Sequence, residues 1–158
     1  MSVSSFKDKT YVHVRVYDEQ LGYPTPVGVA LTPSRFAMLS MIQDDVSERV
    51  DQLNKPGEFE YKAHLGGGFY CTVKSGFYSV HLRKYFVPDD KQYPIPTKKG
   101  IALSLSEWRK LIVHLKTIRE EHPELSNAIP CHLDVFHSNQ EAAFSCMECC
   151  PFGASAVY

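Results

Sequence analysis

Aromatic and cationic side chains alternate in one stretch of the sequence, residues 69–99. An aromatic ring gives a nucleobase a face on which to stack, and a lysine or arginine meets the phosphate of a nucleotide. This combination suits a sequence-tolerant single-strand binder. The alternative is a sheet whose rings fill its own core while its cations solvate the other face. The rings are Phe69, Tyr70, Phe77, Tyr78, Tyr85, Phe86 and Tyr93, and the cations are Lys74, Arg83, Lys84, Lys91, Lys98 and Lys99.

The charge of the chain is unevenly distributed. Its 158 residues carry a formal net charge of −1, which argues against a generic polyanion-binding protein. Residues 61–122, however, hold eleven basic and five acidic side chains and are net +6. Residues 1–60 are net −3 and residues 123–158 are net −4. The pattern predicts that the cations of the middle segment gather on one face.

A second group of residues has the chemistry of zinc ligands: Cys131, His132, His137, Cys146, Cys149 and Cys150. The Cys146-x-x-Cys149 spacing fits half of a zinc site. The other half would need Cys131 with a histidine at no standard spacing, and adjacent cysteines on a strand would point to opposite faces. Buried structural cysteines are common. We therefore predict neither a metal nor a cofactor.

Sequence motifs of known catalytic sites are absent. There is no nucleophile elbow, no His-Glu-x-x-His, no phosphate-binding loop and no dinucleotide-binding glycine pattern. Residues 66–68 are glycines without the lysine of a phosphate loop, and they indicate a turn. We predict that the protein is not an enzyme and has no catalytic residues.

An internal repeat organises the strands and helices that carry these residues. The segment 12–17 matches 80–85 at four of six positions, and 24–36 matches 96–108 at six of thirteen. The offsets are 68 and 72 residues, so the loop between the blocks differs by four residues. Two ordered blocks predict a duplicated unit. His13 and His81 share a repeat position, which favours a structural role for both.

Each unit has the pattern of strands followed by a helix. Alternating apolar residues predict strands at 11–17 and 27–31, then a helix from the Thr32 cap to about residue 53. The second unit has predicted strands at 59–65, 69–74, 77–87 and 98–103, and a helix whose N-cap is Ser104 or Ser106. The prediction is an α+β fold, an intrachain pseudo-dimer with the helices packed centrally.

The second unit is also recognisable from its motifs. They are a strand ending Arg83-Lys84-Tyr85-Phe86, a Lys98-Lys99-Gly100-Ile101-Ala102-Leu103 strand, and a helix opening Glu107-Trp108. With these motifs, residues 59–122 resemble the single-stranded-DNA-binding domain of the positive-cofactor-four family of transcriptional coactivators. Residues 11–53 resemble a degenerate second copy. The resemblance implies a curved antiparallel sheet closed by a helix, which binds nucleic acid in its grooves.

The resemblance also implies which residues bind nucleic acid. A family aromatic residue aligns with Lys74, so the substitute is Phe77, Tyr78 or Tyr70, and we include Phe77 in the predicted site. The predicted nucleic-acid-binding residues are therefore Lys74, Phe77, Arg83, Phe86, Lys98 and Lys99. The first unit has Asp18 at the position of Phe86, and an acidic side chain there repels a phosphate. We therefore expect the first unit to be a structural partner, with Arg15 and Tyr17 as residual contacts.

We predict a structural role for the part of the chain that follows the second helix. The first unit spans about 1–54 and the second 58–123, but residues 1–10 are too few for both of the missing strands and their turn. We predict that strands at about 131–137 and 141–150, joined through residues 138–140, form a hairpin. In this prediction the hairpin, within residues 128–158, completes the first sheet and makes one compact domain of residues 1–158.

These observations lead to one functional expectation and one alternative. We expect non-catalytic binding of single-stranded nucleic acid, DNA rather than RNA, in transcription or replication. The alternative is a structural or assembly protein, such as a virion component, that keeps the fold and has lost binding. A diverged tandem repeat is unlike the usual single-copy coactivator, so a viral origin stays open. Whether two chains also form a homodimer stays open as well.

The composition of the chain bears on whether the protein enters a membrane and in which compartment it lies. Apolar residues make up 44% of the chain, which is enough for a packed core. There is no run of 18 apolar residues and no apolar signal segment at the start, so we expect no membrane partner and no secretion. With five cysteines and no secretion signal, we expect a reducing compartment, nuclear or cytoplasmic.

Overall fold

The computed structural model describes residues 1–137 and 139–153. Two antiparallel sheets with helices packed against them confirm the α+β class. The strands are β1 (Ser2–Phe6), β2 (Lys9–Tyr17), β3 (Pro24–Leu31), β4 (Glu60–Gly66), β5 (Phe69–Lys74), β6 (Ser79–Phe86) and β7 (Ile95–Ser104). The helices are α1 (Pro33–Gln52), α2 (Leu105–Glu121), α3 (Pro123–Ser126) and α4 (Gln140–Ser145), with short 3₁₀ helices at Cys131–Leu133 and Val135–His137.

The first sheet is completed by the N-terminus. Its order is β1-β2-β3, and β1 pairs antiparallel with β2 from Ser2 opposite His13 to Phe6 opposite Lys9. The intervening Lys7 and Asp8 both have positive φ, at 48° and 60°, which is the backbone of a tight two-residue hairpin turn. Residues 1–10 therefore supply one whole strand and its turn.

The predicted C-terminal hairpin is wrong over the described residues. Residues 131–137 form two 3₁₀ helices and residues 140–145 form α4, and neither segment pairs with β2. The first sheet needs three strands, and β1 already occupies the free edge of β2. Residue 138 and residues 154–158, also assigned to that hairpin, lie outside the described residues.

The second sheet has four strands in the order β4-β5-β6-β7. All pairs are antiparallel, and the four strands predicted for this unit are confirmed. Apolar side chains on one face of each strand enter the core, while the alternate positions form the other face. The core positions of this sheet are Leu65, Cys71, Val73, Val80, Leu82, Ile101 and Leu103.

The repeat has a shared backbone irregularity. The β2–β3 register shifts between Arg15 and Tyr17, and the β6–β7 register shifts between Arg83 and Tyr85. In each unit a glycine lies opposite the arginine, and the helix that follows is capped by a hydroxyl side chain. Equivalent bulges, glycines and caps at offsets of 68 and 72 residues show that the two blocks fold alike.

Both long helices begin where their caps predict. Thr32 caps α1 and Pro33 opens it, while Ser104, rather than Ser106, caps α2 in a capping box with Glu107. The two helices contact each other, and the Trp108 indole N–H on α2 donates to the Ser47 hydroxyl on α1 at 3.2 Å. None of the helices in the described part of the chain has the length and apolar character to cross a membrane.

One hydrophobic core joins the two units. Helix α1 packs on β4 of the second sheet as well as on its own strands, and β3 contacts β7. Phe36 and Leu39 from α1 and Trp108 from α2 are almost completely buried in this core. The two sheets are therefore held together through the helices, which places the free face of the second sheet on the outside.

Candidate nucleic-acid interface

A groove on the outer face of the second sheet gathers cationic, aromatic and hydroxyl side chains. It is a cavity of about 390 Å³ that crosses β5, β6 and β7. Alternation along β6 places His81, Arg83 and Tyr85 on one face, and the irregular register opposite them lets three consecutive residues of β7, 96–98, line the groove. The lining residues are Thr72, His81, Arg83, Tyr85, Pro96, Thr97 and Lys98.

The backbone of the neighbouring strand holds Arg83 in this groove. Its Nη1 donates to the carbonyl oxygen of Thr97 at 3.0 Å. The Thr97 hydroxyl in turn donates to the carbonyl oxygen of Lys84 at 2.8 Å and thereby spans the bulge. Gly100 lies opposite Arg83, and a Cβ there would stand 2.5 Å from the Leu82 carbonyl oxygen. Glycine thus lets β7 approach closely enough to position the arginine.

Two tyrosine rings contact each other at the groove, with their planes tilted by 54°. The rings of Tyr70 and Tyr85 are 4.7 Å apart, and the Lys62 ammonium lies 5.4 Å from the first ring and 5.8 Å from the second. Lys62 is exposed, so its charge is available to solvent. The sequence analysis did not include Lys62 in the site. Its position gave a signal, because residues 60, 62 and 64 are two apart on β4 and therefore share one face of the strand.

Several predicted site residues stand at the ends of the strands rather than in the groove. Phe77 in the β5–β6 turn is 56% exposed, and Phe86 at the end of β6 is 45% exposed. Large apolar rings this accessible can stack on a base without repacking the core. Lys74 ends β5 and forms an exposed ion pair with Glu60, with 3.9 Å between Nζ and Oε2.

The two adjacent lysines of β7 have different surroundings. Both side chains are exposed, but Lys98 lines the groove together with Arg83, whereas Lys99 does not. Lys99 is near enough to Lys84 to help lower the pKa of the Lys84 ammonium, after burial and Arg35. The six predicted residues therefore divide into a groove pair, Arg83 and Lys98, and four residues around it.

His81 is a lining residue that the predicted site did not include. Burial, followed by the charge of Arg83, lowers the pKa of the His81 imidazole below its usual value. Its Nε2 lies 2.9 Å from the Ser79 hydroxyl, and in the first unit the His13 Nε2 lies 2.7 Å from Ser4. The predicted structural role of this repeat position thus has a matching hydrogen bond in both units.

The first unit lacks the chemistry of the groove. Arg15 makes longer contacts, 3.5 Å and 3.4 Å, to the carbonyl oxygens of Thr25 and Pro26. Pro26 stands at the repeat position of Lys98, so one groove cation is replaced by an uncharged ring. Asp18, at the position of Phe86, accepts the backbone N–H groups of residues 20 and 21 at 2.9 Å. The acidic side chain therefore organises a turn.

In the C-terminal segment, four of the six residues with the chemistry of zinc ligands lie close together. The ligand atoms of Cys131, His137, Cys146 and Cys149 all lie within 4.8 Å of one another. A strand was predicted over residues 141–150, whereas the structure has α4 followed by a turn there. The ligand atoms of Cys146 and Cys149 converge across this turn, and Cys150 lies outside the cluster.

Comparison with known proteins bears on the groove directly. Residues 74–114 match the family described as Transcriptional Coactivator p15 (PC4). The match runs from the end of β5 through β6 and β7 into α2, so it includes Arg83 and Lys98. No solved structure matches the chain significantly.

A curated relative agrees with that match. The chain is similar to a Caenorhabditis elegans protein named "Putative RNA polymerase II transcriptional coactivator", with 32% identity over 71 residues. The alignment covers 44% of this chain and 54% of that protein, so the chain spans about half the length of the relative. The resemblance predicted from the sequence is thereby confirmed, and the second unit matches the p15 (PC4) family of transcriptional coactivators over residues 74–114.

Proposed function

We propose that the protein binds single-stranded nucleic acid, DNA rather than RNA, through the outer face of its second sheet. The observation that carries the proposal is the groove in which Arg83 and Lys98 lie beside Tyr85 and Thr97. Cations there meet phosphates and hydroxyls accept or donate hydrogen bonds, while nearby rings offer stacking faces. The matched family is one of transcriptional coactivators, which supports a role in transcription.

The arrangement favours a single strand over a duplex. The accessible rings of Phe77, Tyr78, Phe86 and Tyr93 lie at the ends of the strands that border the groove. Bases that are unstacked can splay onto such rings, whereas bases inside a duplex cannot. The phosphates of the same strand can then follow the cations. We infer that the groove supplies charge and that the surrounding rings supply stacking.

The second unit supplies most of the binding in this proposal. Its segment 61–122 holds the net charge of +6, and the first unit carries Pro26 and Asp18 where the second has Lys98 and Phe86. The first unit then acts through the shared core, by holding the second sheet in place. Nuclear localisation would follow from a coactivator role.

The first prediction concerns strand preference and salt. A labelled single-stranded oligonucleotide should bind more tightly than the corresponding duplex, and the affinity should fall as salt rises because bound counterions are released. Fluorescence anisotropy titration at several salt concentrations measures both. A DNA and an RNA strand of the same sequence should be compared, and we expect the DNA to bind more tightly.

A matched pair of variants locates the site. Arg83→Ala should weaken binding, whereas Arg15→Ala, at the equivalent repeat position, should leave it nearly unchanged. Equal affinity for both strand forms, or insensitivity to salt, would contradict the proposal. No measurable binding by the folded protein would instead favour a structural or assembly protein that keeps the fold.

A further inference from the structure

We propose that Cys131, His137, Cys146 and Cys149 form a structural zinc site that staples the C-terminal segment to the second sheet. Three cysteine sulfurs and one histidine nitrogen are a common ligand set for structural zinc. Cys131 and His137 come from the two 3₁₀ helices, and Cys146 and Cys149 from the turn that follows α4, so the four residues span nineteen residues of chain. Four protein ligands close the coordination shell, so the site has no open position for catalysis.

The distances among the ligand atoms fit a tetrahedron. With Zn–S near 2.3 Å and Zn–N near 2.0–2.1 Å, tetrahedral geometry requires about 3.8 Å between two sulfurs and about 3.5 Å between sulfur and nitrogen. The Cys131 and Cys146 sulfurs are 3.7 Å apart. The His137 Nδ1 lies 3.7 Å from the Cys131 sulfur and 3.2 Å from the Cys149 sulfur. The separation of the two sulfurs also excludes a disulfide bond between them.

The chain makes a tight turn at the Cys146-x-x-Cys149 pair. Cys146 is the C-cap of α4, and its backbone N–H donates to the Ala143 carbonyl oxygen. The N–H of Cys150 donates to the Cys146 carbonyl oxygen at 2.8 Å and closes the turn. A Cys-x-x-Cys turn is the usual half of a zinc site, and here the backbone already holds it in one conformation.

In its described residues, the short helices of this segment have no hydrophobic core of their own. Neither α4 nor the two 3₁₀ helices contains a buried residue. Instead its large apolar side chains are exposed, with Val135 at 77%, Phe136 at 80% and Met147 at 72%. A short segment without a core needs a disulfide or a metal to keep one conformation. Zinc bound by four ligands supplies that stability directly.

The proposed site is attached to the second sheet through the residue between two of its cysteines. The Glu148 carboxylate makes two bonds with the Arg35 guanidinium on α1, at 2.5 Å and 2.7 Å. The Glu148 carbonyl oxygen accepts the N–H of Gly67, in the turn between β4 and β5, at 2.7 Å. A Cβ at Gly67 would meet the Arg35 guanidinium, so a larger residue there would displace this side chain from its contact with Glu148. The metal turn thus fixes the edge of the sheet that carries the groove.

The test measures metal in the whole protein, purified under reducing conditions without added chelator. Elemental analysis should find one zinc per chain. Replacement by Co²⁺ should give the absorption bands of a tetrahedral thiolate complex. Cys149→Ser should lose most of the zinc, and His137→Cys should keep it, since a fourth thiolate preserves the coordination. These spectra decide the question even if a cysteine variant folds poorly.

The chain offers a matched control. Cys150 is adjacent to Cys149 and also partly exposed, but it lies outside the cluster. Cys150→Ser should therefore retain one zinc per chain and an unchanged Co²⁺ spectrum. A protein without zinc that gives no thiolate bands with Co²⁺ would overturn the proposal. Equal loss of zinc from Cys150→Ser and Cys149→Ser would also overturn the proposal. So would a disulfide bond between two cysteines of the cluster in protein purified under reducing conditions.

Discussion

Position within a strand separates residues that have the same charge. Lys98 and Lys99 are neighbours in sequence and are both exposed, yet only Lys98 lines the groove with Arg83. Because the pleat directs neighbouring side chains to opposite faces, the pair is divided by geometry rather than by chemistry. The sequence motif could not separate the two lysines, since the bulge between Arg83 and Tyr85 changes the local register.

The second prediction uses this difference. Lys98→Ala should lower the slope of log affinity against log salt by about 0.7, the value for one phosphate contact on a single strand. Lys99→Ala should have a smaller effect on both the affinity and the slope. Anisotropy titrations over a range of salt measure each variant, and circular dichroism checks that both fold. An equal effect of the two substitutions would place the bound strand across both faces.

The third prediction concerns pH and His64. Burial lowers the pKa of the His64 imidazole to about 4, with the Gly68 N–H donating to its Nε2 at 3.1 Å. The neutral ring stabilises the fold fully above pH 6.5, and this contribution is lost as pH falls towards 4. His64→Gln keeps an acceptor but does not titrate.

The pH dependence of denaturant unfolding tests this assignment. Between pH 6.5 and 4 the free energy of unfolding should fall by roughly 1–2 kcal/mol more in the wild type than in His64→Gln, after allowance for partial exposure. Zinc release at low pH affects both proteins and cancels in the comparison. Parallel pH profiles would mean that His64 does not contribute.

The elements of this fold were largely predictable because their signals are local. Short stretches of sequence are enough to recognise the Thr32 and Ser104 caps, the alternation of the strands and each block of the repeat. The N-terminal strand was missed because a two-residue turn with positive φ at Lys7 and Asp8 has no glycine or asparagine to announce it. The Arg35–Glu148 contact joins residues 113 positions apart, so no local pattern could indicate it.

The fourth prediction concerns the glycine of each bulge. A Cβ at Gly100 would lie 2.5 Å from the Leu82 carbonyl oxygen, and one at Gly28 would lie 2.3 Å from the Val14 carbonyl oxygen. Backbone atoms cannot move aside cheaply, so either glycine-to-alanine change should destabilise the fold by about 1–3 kcal/mol. Thermal unfolding measures the loss.

Binding then distinguishes the two glycines. At a temperature where both variants remain folded, Gly100→Ala should also weaken oligonucleotide binding because it displaces Arg83. Gly28→Ala should bind as the wild type does. Normal stability of both variants would show that the close approach of the strands is not needed.

At the scale of the whole molecule, we propose one binding sheet, a supporting first unit and a C-terminal segment held by zinc. The two sheets share a core through α1 and α2, and the acidic C-terminal segment docks beside β4 and β5 through Glu148. The basic face of the second sheet is left outside this packing, although the whole chain is net −1. The net charge of the whole chain therefore conceals the basic segment 61–122, which the charges counted by segment indicate.

The central claim is that a single strand lies across the outer face of the second sheet. The most direct test is photo-crosslinking of an oligonucleotide containing a photoreactive base, followed by mass-spectrometric mapping of the attached residues. The account predicts crosslinks on Phe77, Tyr85 or Phe86 and protection of Lys98, with little labelling of β2 and β3. Crosslinks concentrated on the first unit or on the C-terminal segment would contradict it.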